Sequence, residues 1–206
     1  MLLARVRLAQ GDRTSAAKLH EDAAMHYMDM PQAAWPRAQR ALLDFEVGEP
    51  ARGETGLVEA LTLLGEHWEQ ADPRRIPLLL DIAAGLLERG QPALAGTVLE
   101  RAALLAGPVH ESFGVRARID RLRAQVARAA GDDARALELL NEAYLGTDGD
   151  FGMGHPELDR LNLERADLAW SLGDRAFAER LYGTLKDHDL DPLGPEAAAR
   201  VRSRAP

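Results

Sequence analysis

Apolar and small side chains recur at three- and four-residue steps along most of this chain, and the stretches that carry them come in pairs. Leu19, Leu57, Val98, Leu99, Leu139, Leu140 and Leu181 fall at such spacing, as does the stripe Ile119, Leu122, Val126 and Ala130. This is the period of an amphipathic helix with one buried face. Helices are predicted over 2–10, 12–29, 37–47, 51–65, 76–89, 92–105, 112–130, 133–145, 157–172, 175–187 and 196–204.

A glycine separates the members of each pair. Gly11, Gly48, Gly90, Gly131 and Gly173 are 37, 42, 41 and 42 residues apart. Seven residues before them stand Ala4, Ala41, Ala83, Ala124 and Ala166. Five after them stand Ala16, Gly53, Ala95, Ala136 and Ala178, and twelve after them Ala23, Ala60, Ala102, Ala143 and Leu185. Glycine ends a helix at low cost because it accepts the left-handed conformation. Asp12, Asp132 and Asp174 then offer a cap to the following helix, while Pro50 and Pro92 suit a first helical position. The small residues flanking each glycine are expected to face each other, so that the two backbones approach closely. A period of about 34–47 residues with two helices each marks an α-solenoid. The expected fold is all-α, with five antiparallel pairs at roughly 1–30, 35–65, 76–106, 112–145 and 157–187. They form one array over 1–190, followed by a capping helix or flexible tail over 191–206.

The motif resembles the tetratricopeptide repeat, most closely in Ala83…Gly90…Ala95…Ala102, Ala124…Gly131…Ala136…Ala143 and Ala166…Gly173…Ala178. The 42-residue spacing and Gly154-His155-Pro156 are similar to the kinesin-light-chain type of that repeat. The resemblance implies a right-handed superhelix whose first helices line a concave surface. Two departures stand out. Arg40, Arg123 and Arg165 replace the large apolar residue usual before the invariant alanine, so the sequence leaves open which face of those helices is buried. Gly53 and Gly56 lie inside a predicted helix, at about 1 kcal/mol each against alanine.

Composition narrows the function. The formal net charge of −8 argues against general nucleic-acid binding. There is no cysteine, which removes disulfides and thiolate zinc sites. An aromatic content of 5% suits a core of alanine and leucine. No apolar run is long enough to span a membrane, and a cytoplasmic, GC-rich bacterial origin is the expectation. His20-Glu21 and His26 miss the spacing of a helical zinc site, because histidines six apart lie on different faces. The segment Gly146–Gly152 has no lysine and carries acids, so it would repel phosphate. Asp148 and Asp150 open like a calcium loop, but Gly152 stands where a third oxygen ligand belongs, and a flexible connector is expected there. No nucleophile elbow, phosphate loop or metal cluster is present, so the reading is non-enzymatic, without cofactor or metal.

The expected role is an interaction scaffold or adaptor for a partner protein or peptide. Arg118, Arg121 and Arg128 share one flank of a first helix, with Gln125 between them. By the resemblance that flank faces the groove, with Arg160 and Trp170 beside it and Trp35 and Phe45 further along. Arginine forks suit the carboxylates of an acidic partner, and Trp170 would be an aromatic anchor. Against this stands simple pairing of these arginines with Glu138, Glu142 and other acids. The first helix has only about ten residues before Gly11, which reads as the carboxy-terminal piece of a longer array. That motivates an alternative, the regulatory arm of a bacterial kinase or transcription regulator. It also makes the amino-terminal repeat end a candidate surface for self-association.

Overall fold

A computed structural model describes residues 2–27, 33–66, 75–107, 113–152 and 155–206. Gly154 of the Gly154-His155-Pro156 motif, positions 28–29 of the helix expected over 12–29 and position 112 of that expected over 112–130 lie outside the described residues. All regular secondary structure among the described residues is helical, without strands: α1 (Leu2–Ala9), α2 (Arg13–Tyr27), α3 (Ala34–Glu46), α4 (Pro50–Glu66), α5 (Arg75–Glu88), α6 (Pro92–Ala106), α7 (Phe113–Ala129), α8 (Asp133–Phe151), α9 (Pro156–Leu172), α10 (Arg175–Lys186), a 3₁₀ turn (Asp191–Leu193) and α11 (Pro195–Arg204). The chain divides into two compact units, Met1–Leu105 and Ala106–Pro206.

The five glycines turn the chain in one way. Gly11, Gly48, Gly90, Gly131 and Gly173 all have φ between 69° and 87°. Behind each, the next residue's N–H bonds a carbonyl four residues before the glycine: Asp12 to Arg7, Glu49 to Asp44, Gln91 to Leu86, Asp132 to Ala127 and Asp174 to Ala169, at 2.8–3.0 Å. These are Schellman closures, which consume carbonyls left over at a helix end. Three aspartates then cap the second helices. Asp12 accepts from Ser15 N, Asp132 from Arg135 N and Asp174 from Phe177 N.

The small residues sit where the helices touch. Ala4, Ala41, Ala83, Ala124 and Ala166 are all buried, as are Ala16, Ala95, Ala136 and Ala178. Their facing is offset from the expected register, because antiparallel helices meet at positions equidistant from the turn. In the α3–α4 pair a Cβ added to Gly56 would lie 3.2 Å from Ala41 Cβ, and one added to Gly53 would lie 2.8 Å from two ring carbons of Phe45. The in-helix glycines of α4 are therefore contact points. Gly85 of α5 does the same between repeats, since its added Cβ would meet Leu42 Cδ1 of α3 at 2.6 Å.

The expected connector at Gly146–Gly152 is instead helix. α8 runs on to Phe151 and Gly152 ends it at φ 74°. Gly146 lies against Ala117 of α7, 3.4 Å from where its Cβ would be, and the buried Thr147 hydroxyl donates to the Ala143 carbonyl at 2.9 Å. Close packing on α7 outweighs the low helix propensity of two glycines. Asp148 is thus a helical residue and no loop of cation ligands forms around it.

The three arginines before the invariant alanines are half-buried, and two reach back to the second helix of the preceding repeat. In the first unit, Arg40 donates to Glu21 of α2 and to Asp44 of its own helix, each at 3.1 Å. In the second unit, Arg165 donates to Asn141 at 2.7 Å and Asn162 at 2.8 Å and lies 4.4 Å from the Tyr144 ring centroid. Burial lowers its pKa. Arg123 pairs within α7 with Asp120 at 3.9 Å. Glu46 joins three helices of the first unit, accepting from Arg13 of α2 at 2.6 Å and from Arg89, just beyond α5, at 3.2 Å.

Candidate functional site

The second unit contains a cleft of about 340 Å³ lined by Ala117, Arg118 and Arg121 of α7, Thr147 of α8, His155, and Glu157 and Leu161 of α9. It holds two of the arginines expected at a binding surface. α7 places Arg118 and Arg121 one turn apart, on the same flank. His155 is the N-cap of α9, with Pro156 at the first helical position; its Nδ1 accepts the Glu157 N–H at 3.3 Å and its carbonyl accepts Leu158 N–H at 2.9 Å. An accepting Nδ1 leaves the neutral ring's proton on Nε2.

Arg121 is the central group. Its Nε donates to Glu164 Oε1 at 3.0 Å, a second nitrogen donates to the same carboxylate, and NH1 donates to Glu157. Burial works against the charge, but the hydrogen bond and charge of Glu164, then those of Glu157, outweigh it and raise the arginine's pKa. The guanidinium thereby ties α7 to two turns of α9. It already holds carboxylates, though from Glu157 and Glu164 rather than from Glu138 or Glu142. Glu138 pairs with Arg135 at 2.8 Å. Glu142 acts on buried Asp120, whose pKa is raised by burial first and by the Glu142 charge second.

The other expected positions are spread out. Arg160 is exposed and reaches Glu157 at 3.5 Å. Arg128 is exposed at the end of α7. Trp170 is half-buried: Arg175 lies 3.6 Å and Arg204 4.8 Å from its ring centroid, with Tyr182 edge-on at 6.1 Å. Its ring is engaged by α10 and α11. In the first unit Trp35 is half-buried in the first turn of α3, whereas Phe45 is buried against Gly53 and belongs to the core of the α3–α4 pair. Sequence reasoning missed Glu157, Glu164 and His155 as members of the site. The one available signal was a polar residue followed by proline at a helix start, which marks an N-cap.

A second cleft, of about 580 Å³, lies in the first unit between α2 and α3, with Leu43 and Val47 among its apolar lining and Lys18 and Arg52 among its cations. Among the described residues, no group of three His, Asp or Glu side chains could hold a metal ion. No described helix is long and apolar enough to cross a membrane.

No known protein-family profile matches the chain, and no curated protein does. Solved structures do. A singly substituted variant of nearly identical TPR-like repeats from a putative kinesin light chain of Podosopora anserina aligns at TM-score 0.71 with 18% identity, over 94% of both chains. The unsubstituted repeat protein aligns at 0.67 with 18% identity, over 98% of this chain and 92% of its own. A MamA RS-1 double mutant aligns at 0.57 with 17% identity, over 98% and 91%. With the five glycine closures and buried alanines above, these likenesses establish that the chain is an all-α protein with a TPR-like repeat fold.

Proposed function

We propose that this chain is a non-enzymatic interaction scaffold or adaptor, which takes an acidic segment of a partner protein along the first helices of its second unit. The carrying observation is Arg121 at the α7–α9 cleft. Its guanidinium is held by Glu157 and Glu164, and an incoming carboxylate would bind by taking the place of Glu157 on the cleft wall. Arg118 lines the same cleft, and exposed Arg128 and Arg160 extend the cationic surface along α7 and α9. Repeat arrays bind through many side chains on such extended surfaces.

Arg121 is a poor residue to reverse, because its loss strands two half-buried carboxylates. The test uses Arg128→Glu with Arg160→Glu, at exposed positions. An array of acidic, neutral and basic peptides is probed with the full chain, and the tightest peptide is titrated against both proteins. Selection of acidic peptides, weakened about tenfold or more by the double reversal at unchanged helicity, supports the reading. Selection of basic peptides, or equal affinity for both proteins, overturns it.

A further inference from the structure

We propose that α9 and α10 carry a second binding site, a seat for an amphipathic helix with two arginines four residues apart, which the chain's own α11 occupies in cis. The seat is built by α9 and α10. Tyr182 and Leu185 of α10 are fully buried and, with Leu163, Ala166 and Ala169 of α9, form its apolar floor. The Tyr182 hydroxyl donates to Asp167 at 2.6 Å, which orients that carboxylate. Trp170 stands one turn further along α9 with Arg175 over its ring. Carboxylate, phenol and indole together make a receptor for guanidinium groups, combining charge-assisted hydrogen bonds with a cation–π face.

α11 fills it with two arginines. Arg200 NH2 lies 3.3 Å from Asp167 Oδ2; Arg204 NH1 lies 3.4 Å from Asp167 Oδ1 and donates to Tyr182 Oη at 2.9 Å. The Arg204 guanidinium sits 4.8 Å from the Trp170 centroid.

The occupant is weakly held by comparison with the seat. α11 has ten residues, too few for a helix stable by itself. It buries only the small side chains Ala197, Ala198 and Val201. Its two arginines are held unequally: the Arg200 side chain is 41% exposed, so its pair with Asp167 contributes little, and recognition centres on Arg204, which is 29% exposed. Arg200 Nε is buried without a hydrogen-bond partner, so the fit leaves one donor unmet. The tether from α10 is exposed over 187–189 and 191–192, with buried Leu190 between, and ends at Gly194, whose φ is 87°. A site built on α9 and α10 under so short an occupant is open to competition, although Lys186 Nζ donates to the Pro206 carbonyl at 2.9 Å and His188 meets Asp159 at 2.7 Å. The competing partner is a helix that repeats the α11 chemistry: small residues on one face and arginines at i and i+4.

The probe is a fluorescent peptide with the sequence of residues 191–206, titrated into the full chain by anisotropy. Wild type binds it weakly, because α11 competes. Full-chain Arg200→Ala/Arg204→Ala binds it about tenfold or more tightly, and adding Asp167→Asn removes that gain. A peptide lacking both arginines fails to bind either protein. Equal affinity for wild type and the double variant, no binding by the variant, or binding indifferent to Asp167 overturns the proposal. Far-UV helicity guards against unfolding; should the double variant lose it, Arg204→Lys, which keeps the charge but not the fork, is titrated in its place with the same two outcomes.

Discussion

Replacing Gly53 by alanine sets helix propensity against packing, and the structure says packing wins. Gly53 lies inside α4, where alanine is favoured over glycine by about 1 kcal/mol. The new methyl, however, would lie 2.8 Å from two carbons of the buried Phe45 ring. A flat ring held in a core cannot yield as a flexible side-chain end would, and overpacking of this kind costs about 1–3 kcal/mol. The net expectation is destabilisation of up to about 2 kcal/mol. Gly149 is the control: it is also helical, but a Cβ there meets nothing within 4 Å, so Gly149→Ala should stabilise by roughly 0.5–1 kcal/mol. Urea denaturation followed by far-UV circular dichroism measures both. Phe45→Leu in the Gly53→Ala background should recover part of the loss, because the two side chains compete for one space. Equal stabilisation by both glycine substitutions would refute the assignment of Gly53 as a contact point.

Other expectations concern ionisation and the α7–α9 link. His20 is buried in α2 with neither ring nitrogen hydrogen-bonded, and burial first, then the positive charge of Arg40, lowers its pKa. The unfolded chain therefore takes up a proton near pH 6.5 before the folded one does, and stability falls as pH drops below that value. His20→Leu should remove that acid loss; an unchanged stability difference between wild type and variant from pH 7.5 to 5 would count against it. Tyr182 is pushed up from 10 to about 12, first by burial and then by its bond to Asp167. Its contribution is present below pH 10 and is lost as pH rises towards 12, so Tyr182→Phe should flatten the alkaline decline, with absorbance at 295 nm following the ionisation. Arg121→Ala should cost about 1–3 kcal/mol by stranding Glu157 and Glu164, whereas Arg128→Ala, at an exposed position, should cost less; equal small losses would show that Arg121 does not tie α7 to α9.

What the sequence determined by itself was everything periodic. Five glycines in register fixed the helix pairs, because a left-handed turn is a local demand that only glycine meets cheaply. The alanines around them marked the buried contacts, since backbone approach needs small side chains at particular steps. Tertiary structure decided what local propensity could not. α8 continues through Gly146 because Ala117 packs there, and Gly53 is retained because Phe45 fills its space. Arg40 and Arg165 are accommodated at half-buried positions because acids, amides and an aromatic ring from the preceding repeat receive them. The site shows the same division. Spacing placed Arg118, Arg121 and Arg128 on one flank, but the partners of Arg121 lie 36 and 43 residues away. Trp170 was equally visible in the sequence, yet what meets its half-buried ring is Arg175 and Arg204, 5 and 34 positions later. Periodicity reports which face a side chain occupies, and only packing reports what meets it there.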